Sequence, residues 1–186
     1  MVERLPRPFE VAGSRCLVRD LRPEDAREML ELRVRNRRFF TPFEPTLTNE
    51  HFTLEAQRDA IGHGVRAWGE DREYTFGIAL PDGPLVGRVR LSVVVRGPWQ
   101  NANLGYYVDR AANGRGICTE AVGLVVGIAL DRLGLHRVQA AVMPHNAASI
   151  RVLEKNGFRR EGLAPRYLRI NGRWEDHLIF AITGED

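Results

Sequence analysis

The stretch from Leu104 to Gly157 constrains this chain more than any other. An apolar strand, Leu104 to Val108, runs into the loop Asp109-Arg-Ala-Ala-Asn-Gly-Arg-Gly, and a helix starts at Ile117. A loop of this kind leaves backbone N–H groups unpaired at the positive end of a helix dipole. Such a junction is an anion site, suited above all to phosphate. Gly114 and Gly116 let the backbone come close to a ligand. Turn geometry alone would also account for both glycines, so the loop by itself does not fix a function.

The flanking segments alternate in type. Residues 16–21 alternate apolar and charged side chains, as a half-buried strand does. Pro23 opens a helix with Glu24 and Asp25 in its first turn, where the dipole favours acids. Ala26, Met29, Leu30 and Val34 are its expected inner stripe. It ends in Arg33-Val-Arg-Asn-Arg-Arg, which reads first as a solvated helix end and second as a contact for an acidic or nucleic-acid partner. Residues 39–46 carry two prolines and three phenylalanines, too aromatic for a free loop, and are expected to pack over something.

A second helix is expected over 50–68, then a hairpin of strands 74–80 and 85–95 around Pro81-Asp-Gly-Pro. The helix from Ile117 to about Leu133 is apolar nearly all round, which marks it as buried. A strand over 137–143 and a helix over 147–156 follow, the latter closed by Asn156-Gly157. Asn171-Gly172 joins strands 158–170 and 173–182 as a hairpin. This order predicts a single α/β (α+β) domain over residues 1–186. One mixed, mostly antiparallel sheet of seven strands would carry about four helices on its two faces.

Composition removes several classes of function. At 186 residues the chain is long enough for one domain with a sizeable core. No run reaches the roughly 18 apolar residues of a membrane span, and the opening MVERLPRPFEV has no apolar leader core. The two cysteines, Cys16 and Cys118, lack metal-ligand spacing, so no metal site is expected and a reduced, cytoplasmic protein is the simple reading. A net charge of +3 is too small to argue for direct nucleic-acid binding. Oligomeric state, monomer or homodimer, stays open.

The central stretch resembles the GNAT superfamily of acetyl-CoA-dependent N-acetyltransferases. The matching residues are Asn113-Gly-Arg-Gly-Ile after a strand, Thr119-Glu-Ala, Asn146-x-x-Ser149, and Glu154-Lys-x-Gly-Phe158. Within it the chain is similar to the RimJ/RimL type, which acetylates ribosomal-protein N-termini. That likeness rests on Asn36-Arg-x-Phe, Pro42-x-Glu-Pro45, Val94-Val-Arg-Gly97, Leu104-Gly-Tyr106, Met143-Pro-His-Asn146, Tyr167-Leu and Asn171-Gly-Arg-Trp-x-Asp-His177. One departure is visible: the family loop often opens on Gln or Arg, where this chain has Ala111.

The resemblance implies a central strand splayed from its neighbour. It places the acetyl-CoA pyrophosphate on the N–H groups of Ala112, Asn113, Gly114, Arg115, Gly116, Ile117 and Cys118. It sets pantetheine against the backbone of Tyr106, Tyr107 and Val108. Asn146 is read as a helix N-cap that also bonds the cofactor. Ser149 is either a helix-start serine or, as the likeness implies, a proton donor to the departing thiolate. Glu44 is either a surface glutamate or the group that holds or deprotonates the amine. Cys118 is read as buried filler, and Asp176 and His177 first as strand residues with structural hydrogen bonds.

Direct attack on the thioester needs a neutral amine. An α-amine, with pKa near 8, supplies one near neutral pH. A lysine, with pKa about 10.4, is neutral roughly once in a thousand molecules, a cost of about 4 kcal/mol. The positions where related enzymes carry an acidic base hold Ala141 and Leu168 here. The expected activity is therefore acetyl transfer from acetyl-CoA to the N-terminal α-amine of a protein, possibly a ribosomal one. Acetylation of a small amine, or a non-catalytic acetyl-CoA-binding module on the ribosome, are the alternatives.

Overall fold

The computed structural model describes residues 5–185. Residues 1–4, which open the stretch read above for a leader, and Asp186 lie outside it. In chain order the strands are β1 (Glu10–Ala12), β2 (Leu17–Asp20), β3 (Tyr74–Ala79), β4 (Leu85–Val95), β5 (Asn101–Val108), β6 (Arg137–Val142), β7 (Arg159–Ile170) and β8 (Arg173–Thr183). The helices are α1 (Ala26–Phe40), α2 (Leu54–Gly69), α3 (Ile117–Gly127) and α4 (Ala147–Lys155). The strands form one sheet in the order β1-β2-β3-β4-β5-β6-β8-β7, and only the β5–β6 pair is parallel.

The sheet has eight strands, not the expected seven. The extra strand is β1, three residues paired with β2 through Val11↔Val18. Three residues are too few to show an alternation, so nothing local announces this strand. A tertiary contact holds it instead: the Glu120 carboxylate on α3 accepts from the backbone N–H groups of Ser14 (3.0 Å), Arg15 (2.7 Å) and Cys16 (3.0 Å) in the turn that follows.

The core divides across the sheet. Phe76, Ile78, Val89, Leu91 and Leu104 pack against Ile117, Ala121, Val122 and Val125 of α3. On the opposite face Leu21, Ala79 and Leu85 pack against Met29 and Leu32 of α1 and Ile61 of α2. Strand β4 follows its alternation: Val89 and Leu91 are buried on the α3 side, while Arg88 and Arg90 turn to the α1/α2 side half-buried. Helix α3 passes into a π-helical turn over Ile128–Arg132, where the Leu133 N–H donates to the Ile128 carbonyl at 2.9 Å. The hairpin at Asn171-Gly172 forms as expected, with both residues at positive φ (47° and 81°).

Two details of α1 differ from its sequence reading. Val34 is exposed (52%) and Leu32 is fully buried, so the apolar stripe is rotated from the expected one. Arg33 and Asn36 are buried while Arg35, Arg37 and Arg38 are exposed, so the basic run is a solvated helix end on its outer side only. A hydropathy pattern places arginine outside by default. Here both polar side chains find partners inside the fold, and those partners set which face turns inward.

Strands β5 and β6 pair only through Asn101↔Arg137, Ala102↔Val138 and Asn103↔Gln139. Beyond that, β5 follows β4 to Val108 and β6 follows β8 to Val142. The sheet is therefore split between Leu104–Val108 and Ala140–Met143. Among the described residues no helix is long and apolar enough to cross a membrane.

Candidate active site

The loop after β5 is a clamped structure. The Ala112 N–H donates to the Asp109 carbonyl (2.9 Å) and the Asn113 N–H to the Arg110 carbonyl (3.3 Å), closing a 3-10 turn over Arg110–Ala112. The Asp109 carboxylate accepts from the Ala111 N–H (3.0 Å) and from Arg35 Nε (2.6 Å). Asn36 Oδ1 accepts from the Arg110 N–H (2.9 Å), and its Nδ2 donates to the Leu32 carbonyl (2.9 Å). Burial pushes the Asp109 carboxyl up, but these donors outweigh it and hold the group below its ordinary range.

The expected run of N–H donors from Ala112 to Cys118 is thus shorter in the structure. Ala112 is buried, and both its N–H and that of Asn113 are used by the turn. The open run covers Gly114 to Cys118. Gly116 sits at the N-cap of α3 with φ 77° and no side-chain cap, so the first N–H groups of α3 point outward. That geometry fits a pyrophosphate.

The sheet split supplies a second element. The Asp109 N–H donates to the Val86 carbonyl (2.7 Å), which fixes the parity of the β4–β5 ladder. By alternation the N–H and C=O groups of Tyr106 and Val108 point away from β4, into the gap, whereas those of Tyr107 are turned to β4. A cavity of about 200 Å³ fills the gap and is lined by Leu104, Gly105, Tyr106, Ala140–Met143, Asn146, Ser149 and His177.

Asn146 caps α4: its Oδ1 accepts from the Ser149 N–H at 3.1 Å. The Tyr106 hydroxyl lies 2.8 Å from Ser149 Oγ and 3.1 Å from the Ser149 carbonyl oxygen. Burial holds the phenol well above its usual range, so it remains protonated. When it donates to Ser149 Oγ, the serine's own proton is free to point into the gap.

On the α1/α2 side of β5 lies a cleft of about 550 Å³. Phe40, Phe43, Pro45 and Leu47 make its apolar wall, and Arg33, Glu44, Arg88 and Arg90 its charged one. Arg33 Nη2 donates to both Glu44 oxygens (2.8 and 2.9 Å), and its guanidinium lies 5.1 Å from the Tyr107 ring centroid. The phenylalanine-rich link packs in part: Phe40 is buried 5.0 Å from the Tyr107 ring, while Phe43, 6.0 Å from that of His145, stays 39% exposed. A Cβ on Gly105 would meet nothing within 4 Å, so the floor of the cleft is open. The cleft and the gap share Phe43, Gly105 and Tyr106. Two separate cavities therefore meet at one backbone position of β5.

Residues 15–159 match the family described as Acetyltransferase (GNAT) domain. The chain belongs to the GNAT acetyltransferase family. It is an N-acetyltransferase, and acetyl-CoA is its acetyl donor. The Bacillus subtilis protein named Probable N-acetyltransferase YjcK is 46% identical over 94% of this chain and 97% of its own length. The ribosomal protein uS5-alanine N-acetyltransferase of Escherichia coli is 31% identical over 92% of this chain and 89% of its own. Among solved structures, Mycobacterium smegmatis RimJ in complex with CoA-disulfide superposes with TM-score 0.91 at 31% identity, over 96% of this chain and 89% of that one.

Other residues of the acetyltransferase take structural places. The Cys118 thiol is pushed up to about 12 by burial, so it is not a thiolate nucleophile at neutral pH. Asp176 Oδ1 accepts from the Arg166 N–H (2.8 Å). His177 is buried with Nδ1 3.0 Å from the Glu175 carbonyl oxygen. Ala141 and Leu168 line a further cavity of about 290 Å³ beside Asn103 and Gln139, and no carboxylate lines it. The sequence reading missed Arg33, Arg35, Asn36 and Asp109. Their one local signal is the Asn36-Arg block, whose meaning depends on a loop 74 residues away.

Proposed function

We propose that this enzyme acetylates the N-terminal α-amine of a protein, a ribosomal protein being the first acceptor to test. The observation that carries the reading is the meeting of the two cavities at Gly105–Tyr106. The gap takes the pantetheine arm and thioester, and the cleft delivers the amine to the same backbone position. The neutral amine's lone pair bonds to the thioester carbonyl carbon, the C–S bond breaks with its electron pair on sulfur, the thiolate takes up one proton, and the acylated nitrogen gives one proton to water, which restores the donor. Ser149 Oγ is the donor, with its hydroxyl oriented by Tyr106. Glu44, fixed by Arg33, holds the incoming ammonium until it loses its proton to water.

Three features support an α-amine in a peptide. No acidic side chain stands at Ala141 or Leu168, which suits the amine that is already partly neutral. Glu44 and Glu73 offset Arg33 and Arg90, which leaves Arg88 as the unbalanced arginine of the cleft, a poor match for the several ammonium groups of a polyamine. The 31% identical relative from Escherichia coli is named for acetylating an alanine of ribosomal protein uS5.

The test is CoA release from acetyl-CoA with a panel of acceptors. It would hold peptides with free Ala, Ser or Met N-termini, the same peptides N-blocked with an internal lysine, and spermidine. Turnover confined to free N-termini is expected. Turnover on spermidine alone would overturn the reading.

A further inference from the structure

We infer that Arg88 recognises a carboxylate on the acceptor, close to the amine that is acetylated; this rests on the reading of the cleft as the acceptor site. Three carboxylates share cavities with Arg88, and each is already engaged by another arginine. Glu44 is held by Arg33, Glu73 by Arg90, and Asp20 by Arg7 (2.8 Å). Of the arginines that line these two cavities, Arg88 alone has no ion pair or hydrogen-bond partner among the described residues.

Its side chain is half-buried between the cleft and a smaller cavity of about 170 Å³ behind it. Its guanidinium lies 4.9 Å from the Tyr107 ring centroid, and Arg33 lies 5.1 Å from the same centroid. Two guanidinium groups thus flank one ring, and only one has a counter-ion. A partly desolvated cation without a partner is costly. An acceptor carboxylate that reaches Arg88 removes that cost and forms a charge-assisted pair beside the Tyr107 ring.

The position fits the chemistry of an acceptor peptide. Arg88 pairs in register with Tyr107 across β4 and β5, one residue beyond Tyr106, where the two cavities meet. An amine at Gly105–Tyr106 therefore leaves its second or third residue beside Arg88. The class of acceptor assigned is a free N-terminus followed closely by Asp or Glu.

The experiment compares kcat/KM for three peptides that start Ala-Glu, Ala-Gln and Ala-Lys, with wild type, Arg88→Gln and Arg88→Lys. Wild type is expected to prefer Ala-Glu over Ala-Gln by on the order of tenfold, one charge-assisted contact, with Ala-Lys poorest. Arg88→Gln should bring the first ratio towards one, and Arg88→Lys should keep part of it. Each ratio is internal to one enzyme, so a loss of folded protein does not mimic the result. Equal rates on Ala-Glu and Ala-Gln overturn the carboxylate assignment and leave the α-amine reading standing. A preference that survives in Arg88→Gln overturns the role of Arg88.

Silence on every peptide overturns the protein N-terminus reading instead. Free alanine and alaninamide then decide the inference. A wild-type preference for alanine that Arg88→Gln loses moves the same carboxylate recognition to a small acceptor. No preference, or no turnover of either, overturns it.

Discussion

On the proposed function the loop after β5 takes the donor and the cleft takes the acceptor of one reaction, and the two are built in opposite ways. The loop offers backbone: the N–H groups from Gly114 to Cys118, with side chains only holding them in place from behind. The cleft offers side chains brought from α1, the link after it, α2, β4 and β5. Backbone recognition tolerates changes of side chain as long as the dihedral angles survive. Side-chain recognition fails with the loss of a single group, yet it can be retuned one group at a time. That is a physical reason for a constant donor and a variable acceptor on one fold.

The sharpest way to break the loop is through its dihedral angles. At Gly116 φ is 77°, and an added Cβ would lie 3.4 Å from the Arg15 side chain. Gly116→Val forces a β-branched residue into a region it avoids, at about 1–3 kcal/mol, and puts its methyl groups beside the open N–H groups. Acetyl-CoA affinity measured by calorimetry should fall by roughly a hundredfold, the equivalent of about 3 kcal/mol. An affinity within twofold of wild type would show that the loop does not carry the donor.

The cleft should respond in the complementary way. Glu44→Gln keeps the shape but removes the charge that holds the ammonium. The kcat/KM for a free N-terminal peptide should drop by on the order of tenfold or more, while acetyl-CoA affinity stays put. The same change leaves Arg33 buried without its counter-ion, so a lower melting temperature should accompany it. The double variant Arg33→Met with Glu44→Gln should recover stability without recovering activity. Loss of acetyl-CoA affinity in Glu44→Gln would erase the division between the two regions.

This division also sorts what was legible in the sequence. The loop is local: a strand, Asn113-Gly-Arg-Gly, and a helix start lie within about a dozen residues, so their joint meaning survives in one dimension. The capping role of Asn146 and the Asn171-Gly172 hairpin are local for the same reason. The buried faces of α1 were not legible, because Arg33 and Asn36 turn inward only when Glu44 and the loop at Arg110 are in place. Arg88 carries no signal of its own in a strand that merely alternates. It becomes a candidate only after every neighbouring carboxylate has been assigned to another arginine.

One side chain ties the loop region to the rest of the sheet, and its titration gives the smallest effect and the cleanest sign. Glu120, in the first turn of α3, accepts from three successive backbone N–H groups, Ser14 to Cys16, and from the Ser14 hydroxyl at 2.5 Å. Burial would raise its carboxyl, but the Ser14, Arg15 and Cys16 hydrogen bonds prevail and bring it to about 2, from an ordinary 4.5. Burial and then the Glu120 hydrogen bond push the facing Cys16 thiol up to about 12, so that group stays neutral throughout. A carboxyl with a depressed folded value contributes stability that is complete above its unfolded value and disappears as pH falls through its folded value. The Glu120 contribution should therefore be intact at pH 6, start to fade near 4.5 and be gone by about 2. Arg15 stands partly in solvent beside the site and adds a contact at 3.6 Å that salt weakens. The expected readout is a difference in melting temperature of a few degrees between wild type and Glu120→Gln at pH 6, narrowing as pH falls below 4.5. A difference that stays constant from pH 6 to pH 3 would mean that Glu120 acts as a hydrogen-bond acceptor whatever its charge, and that its ionisation does not help to hold β1.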